Sequence, residues 1–175
     1  MEHTRLGATG LKISRLALGC MSYGDPAAEG AHRWALADDE AQPFFRQAVE
    51  AGVTFWDTAN SYQLGTSEEL VGRAIKRYSR REDIMLATKV FGKMHDGPGG
   101  SGLSRKAIME QIDASLTRLG TGYVDLYQIH RFAPAPPSLR PWRRCTTSSK
   151  PARSATWARR RCTPGSSPSS STPPT

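Results

Sequence analysis

The chain is poor in cysteine. Its three cysteines, Cys20, Cys145 and Cys162, form no CxxC pair and have no metal-ligand spacing with the four histidines. This pattern indicates neither a zinc site nor a disulfide framework, so we expect no bound metal and a reducing cytoplasmic compartment. The chain also lacks an apolar leader at its N-terminus and any run near the ~18 apolar residues of a membrane-spanning helix. We therefore expect no membrane partner.

Acidic residues are absent after Phe132. Residues 1–132 hold 16 Lys and Arg against 16 Asp and Glu, whereas residues 133–175 hold the other 8 basic residues, 9 of the 12 prolines and 15 Ser or Thr. The net charge of +8 therefore belongs to the last segment alone. A basic segment can bind nucleic acid, but Trp142 and Trp157 have no regular register with the basic residues, so we expect no nucleic-acid partner.

Large aliphatic residues are also scarce after Phe132. Residues 133–175 contain one Leu and no Ile, Val or Phe. Such a segment cannot bury enough apolar surface to offset the entropy lost on ordering, so we predict a disordered tail. The predicted organisation is one folded unit, residues 1–132, followed by this tail, residues 133–175.

Short apolar strands alternate with amphipathic helices in residues 1–132. Residues 4–14 predict a small hairpin, and further strands are predicted at 15–19, 53–57, 84–89 and 124–130. Helices are predicted after Asp38, ending at Gly52, after a capping box at 66–69, and after Ser104. Their apolar stripes are Phe44, Phe45, Ala48 and Val49; Leu70, Val71, Ala74, Ile75 and Tyr78; and Ile108, Ile112, Leu116 and Leu119. The alternation predicts parallel βαβ units, in an open doubly wound sheet or in a barrel.

Three ionisable side chains stand at the carboxyl ends of consecutive predicted strands: Asp57, Lys89 and His130. Tyr62 lies in the loop after the first of these strands. In a βα barrel such ends form one active-site face. Each residue alone has an ordinary explanation, as a turn cap, a solvated lysine, a core histidine or a surface aromatic. Together they suit acid–base chemistry, because an ammonium stabilises a phenolate, a carboxylate holds the ammonium, and an imidazole adds a hydrogen bond.

Four segments resemble the signature segments of the aldo-keto reductases: LALGCMSYG (16–24), FWDTANSY (55–62), ATKVF (87–91) and VDLYQIH (124–130). The resemblance covers residues 4–132, and the nearest subgroup is the bacterial aryl-alcohol-dehydrogenase-like oxidoreductases. It implies the α/β class, as part of a TIM (β/α)₈ barrel with about the first four strands and an N-terminal hairpin. It also implies NAD(P)H-dependent reduction of an aldehyde or ketone to an alcohol.

The resemblance also implies roles for individual residues. Tyr62 is the expected general acid, Lys89 makes its hydroxyl more acidic, Asp57 pairs with Lys89, and His130 orients the substrate carbonyl. The nicotinamide-ribose end of NADP(H) is expected against Gly19, Cys20, Met21 and Asp57. The alternative is a non-catalytic, reductase-like subunit that senses or binds the cofactor. The sequence leaves open which carbonyl compound is the substrate, the preference between NADPH and NADH, and the oligomeric state.

The family pattern stops two residues after His130, where a helix and four further βα units are expected. With synonymous codon choices, residues 142–166 re-read in another frame as MEALHDVVKAGKIGYLGASSMYAWQ, a helix followed by a strand. We hypothesise a single-base frameshift between Phe132 and Pro141, and we expect the chain as written to be impaired. The stretch DGPGGSG (96–102) lacks a phosphate-loop pattern, so we expect a flexible loop beside the substrate mouth.

Overall fold

A computed structural model of the chain describes residues 1–132, and the predicted disordered tail, 133–175, lies outside the described residues. The strands are β1 (His3–Arg5), β2 (Lys12–Ser14), β3 (Ala17–Gly19), β4 (Phe55–Asp57), β5 (Met85–Val90) and β6 (Leu126–Ile129). The helices are α1 (Asp38–Glu50), α2 (Thr66–Tyr78) and α3 (Arg105–Leu119). Short 3₁₀ turns, Tyr62–Gly65 and Arg81–Asp83, precede α2 and β5. Every predicted strand and helix is present, with ends that differ by a few residues.

Strands β3 to β6 form one four-stranded parallel sheet in the order β3-β4-β5-β6. The Cα partners run Gly19 to Asp57, Asp57 to Ala87, and Lys89 to Gln128. A helix connects each strand of this sheet to the next, α1 between β3 and β4, α2 between β4 and β5, and α3 between β5 and β6, as parallel βαβ connections require. The four parallel strands confirm the predicted α/β class, and their register brings the carboxyl ends of neighbouring strands to one edge of the sheet.

The core lies between the sheet and the three helices. Strand side chains that face the helices include Leu18, Trp56 and Leu86, which are neighbours in the register. The predicted stripes of α2 and α3 face them, and the buried members are Leu70, Val71, Ala74, Ile75, Ile108, Ile112, Leu116 and Leu119. Lys89 and Gln128 both contact Asp57 on the opposite face of the sheet. The helices thus cover one face, and the other face carries the polar groups.

Helix α1 packs through a narrower face than the sequence predicts. Phe45 and Ala48 are buried, but Phe44 is 47% exposed, so its assignment to the apolar stripe is wrong. Adjacent residues on a helix point about 100° apart, and the face built on Phe45 therefore excludes Phe44. The helix ends at Glu50 with Ala51 as its C-cap, so the predicted cap, Gly52, is one residue beyond it; Gly52 has a φ of 74° and donates its N–H to Val49 O. Glycine suits this left-handed position because it has no Cβ.

The predicted capping box at the start of α2 is wrong. The N-cap is Gly65, with a φ of 98°, and Thr66 is already inside the helix. The Thr66 hydroxyl donates to Gln63 O and accepts from Asp25 N–H. Glu68 turns into the core, where it accepts from Thr88 Oγ1 at 2.5 Å and pairs with Arg118 at 2.7 Å. Because Thr66 is inside the helix and Gly65 has no side chain, the N-terminus of α2 has no side-chain cap.

The N-terminal hairpin is confirmed as an antiparallel β1–β2 pair. It is attached to the sheet through Ser14, whose Oγ accepts the backbone N–H groups of Thr54 and Phe55 at 3.0 and 3.1 Å. The glycine-rich loop after β5 has φ values of 88° and 98° at Gly97 and Gly99, which agrees with the predicted use of glycine in its turns. Among residues 1–132, no helix is both long and apolar enough to cross a membrane.

Candidate active site

The four predicted catalytic residues lie together at the carboxyl edge of the sheet. Asp57 is the last residue of β4, Lys89 is near the end of β5, and His130 directly follows β6. Tyr62 begins the 3₁₀ turn that follows β4. A parallel sheet explains the convergence, because each strand ends at the same edge.

Lys89 links two of these side chains. Its Nζ lies 2.8 Å from Asp57 Oδ2, 3.1 Å from Tyr62 Oη and 2.9 Å from Thr58 O, so the ammonium donates to three oxygens at once. The Lys89 side chain is only 12% exposed. A charge-assisted contact with little water around it is stronger than the same contact at the surface. The arrangement therefore holds a positive charge against the phenol oxygen of Tyr62.

His130 faces Tyr62 on the other side. The two rings meet edge to face, with centroids 5.5 Å apart and an interplanar angle of 87°. Burial lowers the pKa of His130 below its ordinary 6.5, and the positive charges of Lys89 and Arg131 lower it further, against a smaller opposing effect of Asp57. The imidazole is therefore neutral at neutral pH, and a neutral imidazole carries one donor and one acceptor nitrogen.

The loop that bears Tyr62 is fixed by contacts with neighbouring elements. Thr58 and Asn60 donate their backbone N–H groups to Ala87 O and Lys89 O, at 2.9 and 3.2 Å. Gln63 is 2% exposed, and its side-chain amide donates to Met21 O at 2.9 Å. These contacts tie the loop to β5 and to the segment after β3.

The backbone after Tyr62 is strained. Gln63 and Leu64 have φ values of 44° and 51°, a left-handed conformation that residues with a Cβ rarely adopt. Such conformations persist only where the surroundings hold them, and they are frequent next to functional groups. The strained residues directly follow Tyr62, at the start of the segment that leads into α2.

The residues predicted to line a cofactor lie beside this cluster. Gly19 is the register partner of Asp57, it is exposed, and a Cβ built on it would meet no atom within 4 Å. Met21 is 38% exposed. Cys20 is fully buried in the core, its Sγ donates to Leu18 O at 3.5 Å, and burial raises the pKa of its thiol. Open space thus adjoins Asp57 at Gly19 and Met21, whereas the Cys20 side chain points away from it.

The sequence did not single out three polar residues that contact the cluster or hold its loop. Gln128 donates its side-chain amide to Asp57 Oδ1 at 3.0 Å, which leaves Oδ2 for Lys89. Ser61 Oγ lies 3.5 Å from His130 Nδ1, and Gln63 holds the loop as described above. Only the register of β5 with β6 could have indicated that Gln128 belongs to the site, because in that register Gln128 is the Cα partner of Lys89. Within residues 1–132, no group of three or more His, Cys, Asp or Glu side chains is placed to hold a metal ion.

Comparison with known proteins identifies similar sequences and similar solved structures. Residues 15–154 match the model of the aldo/keto reductase family, a match that runs beyond the described residues. The chain is 41% identical over 149 residues to versiconal hemiacetal acetate reductase of Aspergillus parasiticus, and 38% identical over 131 residues to the aldo-keto reductase YhdN of Bacillus subtilis. It superposes on the aldo-keto reductase AKR11C1 of Bacillus halodurans, in its holo form, with a TM-score of 0.60 and 37% identity.

These matches cover most of this chain but less than half of each relative. They include 75%, 74% and 74% of this chain, against 42% of the Aspergillus reductase, 38% of YhdN and 40% of the Bacillus halodurans structure. The chain thus spans about two fifths of the length of the relatives it matches.

Proposed function

The chain belongs to the aldo/keto reductase family, and from this premise we propose that it carries the catalytic residues of an NADP(H)-dependent reductase of aldehydes or ketones. The observation that supports the proposal most directly is the position of Lys89 Nζ, between Asp57 Oδ2 at 2.8 Å and Tyr62 Oη at 3.1 Å. A hydroxyl held against a buried ammonium is a suitable proton donor.

The residues beside the cluster fit the nicotinamide end of a dinucleotide. The open space at Gly19 would admit a flat ring next to the sheet, since no atom lies within 4 Å of the position a Cβ would take. Asp57 presents a 29% exposed carboxylate there, which is an acceptor suited to a ribose hydroxyl. We propose that Gly19, Met21 and Asp57 contact the cofactor, and that buried Cys20 supports this segment by packing. When bound, NADPH supplies the hydride that carbonyl reduction needs.

The proton is the contribution of the protein. Tyr62 gives its hydroxyl proton to the carbonyl oxygen, and Lys89 stabilises the phenolate that remains. Asp57 holds Lys89 in place, while Gln128 holds Asp57 in place. His130, which is neutral, donates a hydrogen bond that orients the same carbonyl oxygen.

The test measures hydride transfer from NADPH to an aromatic aldehyde. The reaction is monitored by the loss of the absorbance of the reduced nicotinamide. It is run on the chain as written and on an extended version. In the extended version, residues 1–132 are joined to the frame-restored sequence or, if the coding DNA contains none, to the remainder of the Bacillus halodurans relative. We expect turnover in the extended version and its loss in Tyr62→Phe.

The outcomes separate two functions. NADPH binding without turnover in the extended version would favour the alternative, a non-catalytic cofactor-binding subunit. Turnover that does not depend on Tyr62 would contradict the assignment of the acid. The frameshift hypothesis has its own test, because sequencing of the coding DNA either finds the family-like continuation in another frame or does not.

A further inference from the structure

The acid–base mechanism assigns a donor role to His130 but does not explain which ring nitrogen carries the proton. A neutral imidazole has its single proton on Nδ1 or on Nε2, and the hydrogen bond made by one nitrogen decides the protonation of the other. A histidine in the wrong tautomer would present a lone pair to the carbonyl oxygen and would repel it. The group that faces Nδ1 therefore determines whether His130 can act.

The group that faces Nδ1 is the hydroxyl of Ser61. Ser61 Oγ lies 3.5 Å from His130 Nδ1, a long contact of the kind that often shortens when a substrate binds. Within residues 1–132, Ser61 Oγ has no other hydrogen-bond partner, and Nε2 of His130 has none. A hydroxyl can donate to an unprotonated Nδ1, and this donation leaves Nε2 to carry the ring proton toward the substrate, as the donor role proposed for His130 requires.

Ser61 is held in this position from two sides. Its backbone lies between Asn60, which donates to Lys89 O, and Tyr62, which donates to Ala59 O. On the other side, a Cβ built on Gly92 would lie 2.5 Å from Ser61 Cβ and 2.9 Å from its Oγ, closer than real contacts allow. The absence of a side chain at Gly92 therefore provides the space that Ser61 occupies.

We infer that Ser61 is a positioning residue that fixes the neutral imidazole of His130 as the tautomer with its proton on Nε2. Burial of His130 and the nearby charge of Lys89 keep the ring neutral, so the choice between tautomers applies at neutral pH. The role in carbonyl reduction rests on the proposed function, but the tautomer itself can be measured without turnover.

The experiment uses the full chain with ¹⁵N-labelled histidine, in solution or, if the chain associates, as a sediment in solid-state NMR. Long-range ¹H–¹⁵N spectra distinguish a protonated from an unprotonated ring nitrogen, and the signals of His130 are those lost in His130→Gln. Exposed His3 serves as an internal reference for an unconstrained ring. We expect the wild-type chain to show a single Nε2–H form at His130.

Three variants complete the test. In Ser61→Ala, we expect the two nitrogen resonances of His130 to move toward each other, as in the mixture shown by His3. In Gly92→Ala, which displaces Ser61, we expect a shift in the same direction. Ser61→Thr keeps the hydroxyl and should keep the single form. Ser101→Ala, at an exposed serine of the glycine-rich loop, is the control that should change nothing.

Several results would overturn the inference. An Nδ1–H form in the wild-type chain would show that Ser61 accepts rather than donates. An unchanged pattern in Ser61→Ala, or a mixture in Ser61→Thr as well, would show that the hydroxyl does not select the tautomer. If the extended version fails to reduce any carbonyl while the wild-type spectrum shows the Nε2–H form and Ser61→Ala loses it, the proposed function fails and the role of Ser61 in setting the tautomer stands.

Discussion

The ammonium of Lys89 contacts the carboxylate of Asp57 on the neighbouring strand at 2.8 Å, and the same nitrogen lies 3.1 Å from Tyr62 Oη. The charge reaches the phenol only because β4 and β5 pair in parallel and end at the same edge. These contacts indicate which residue matters more for proton donation by Tyr62. Lys89 touches the proton donor directly, whereas Asp57 acts on it through Lys89.

The first prediction concerns the proton donor. In the extended version, Tyr62→Phe should lower kcat by roughly 10²–10⁴-fold, the usual contribution of general acid catalysis, because it removes the hydroxyl and keeps the ring. NADPH binding should stay within a few fold. Steady-state kinetics and a fluorescence titration of NADPH measure the two effects. Near-normal turnover in Tyr62→Phe would remove Tyr62 from the mechanism.

The second prediction separates Lys89 from Asp57. Lys89→Met should lose most of the activity in the extended version, because the charge beside Tyr62 Oη disappears while the side-chain length is kept. Asp57→Asn should lose less, since Lys89 keeps its charge and its contact with Thr58 O. The pH dependence of kcat/KM for each variant is the measurement. An unchanged basic limb of the profile in Lys89→Met would contradict the role assigned to the ammonium.

The sequence was sufficient to predict that Asp57, Lys89 and His130 lie close together. Apolar runs that alternate with helices locate the strands, and parallel strands end at the same edge of the sheet. The partners of these residues were not predictable in the same way. Gln128 meets Asp57 across 71 positions of sequence, and Ser61 meets His130 across 69. Neither contact leaves a periodic signal, since each depends on the register of strands and on the course of a loop.

The wrong capping box at α2 has a related cause. The spacing of Thr66 and Glu69 satisfies the local pattern, but Thr66 lies inside the helix, where its hydroxyl donates to Gln63 O and accepts from Asp25 N–H. Tertiary contacts thus determined how α2 begins, although the local sequence alone favoured a capping box. The exposure of Phe44 is the simpler case, because the helical angle between neighbours already separates it from Phe45.

The third prediction concerns protonation of two histidines in the full chain. Burial, with the charges of Lys89 and Arg131, lowers the pKa of His130 below 6.5, so it should protonate only in more acidic solution. Hydrogen bonds to Asp96 O and to Glu110 raise the pKa of His95 above 6.5. NMR titration of the ring protons should therefore give a lower midpoint for His130 than for His95. The reverse order would contradict the packing described for both rings.

The two shifts act on stability in opposite directions. A folded-state pKa below the unfolded value means that the unfolded chain binds more protons, so His130 makes the fold less stable as the pH falls below 6.5. A raised pKa has the opposite sign, so the contribution of His95 is present below 6.5 and is lost as the pH rises through its folded pKa. His130→Gln should flatten the acid side of the stability profile, and His95→Gln should flatten the neutral side.

The fourth prediction concerns the buried ion pair of Glu68 with Arg118. Glu68 is fully buried and Arg118 is 18% exposed, so Arg118→Leu would leave a carboxylate in the core whose one remaining side-chain partner among residues 1–132 is Thr88. Removing one member of a buried pair costs on the order of 3 kcal/mol of unfolding free energy. Urea unfolding of the full chain measures it. Arg46→Leu, which breaks an exposed pair with Glu50, is the matched control and should change the midpoint little.

The fifth prediction concerns the crossing of α2 and α3. Gly72 lies in the middle of α2, where alanine is normally the better helix former by about 1 kcal/mol. A Cβ at this position would overlap the backbone carbonyl of Leu119, which ends α3. Backbone cannot rotate away as a side chain can, so the two helices would have to separate. Separation would loosen the packing of Leu119 and of the neighbouring stripe residues against the sheet.

Gly72→Ala should therefore lower the thermal midpoint of the full chain despite its gain in helix propensity. Gly122→Ala is the control, because a Cβ there meets no atom within 4 Å, and it should leave the midpoint nearly unchanged. A midpoint that rises in Gly72→Ala would show that α2 and α3 do not approach each other as closely at this crossing as the structure places them.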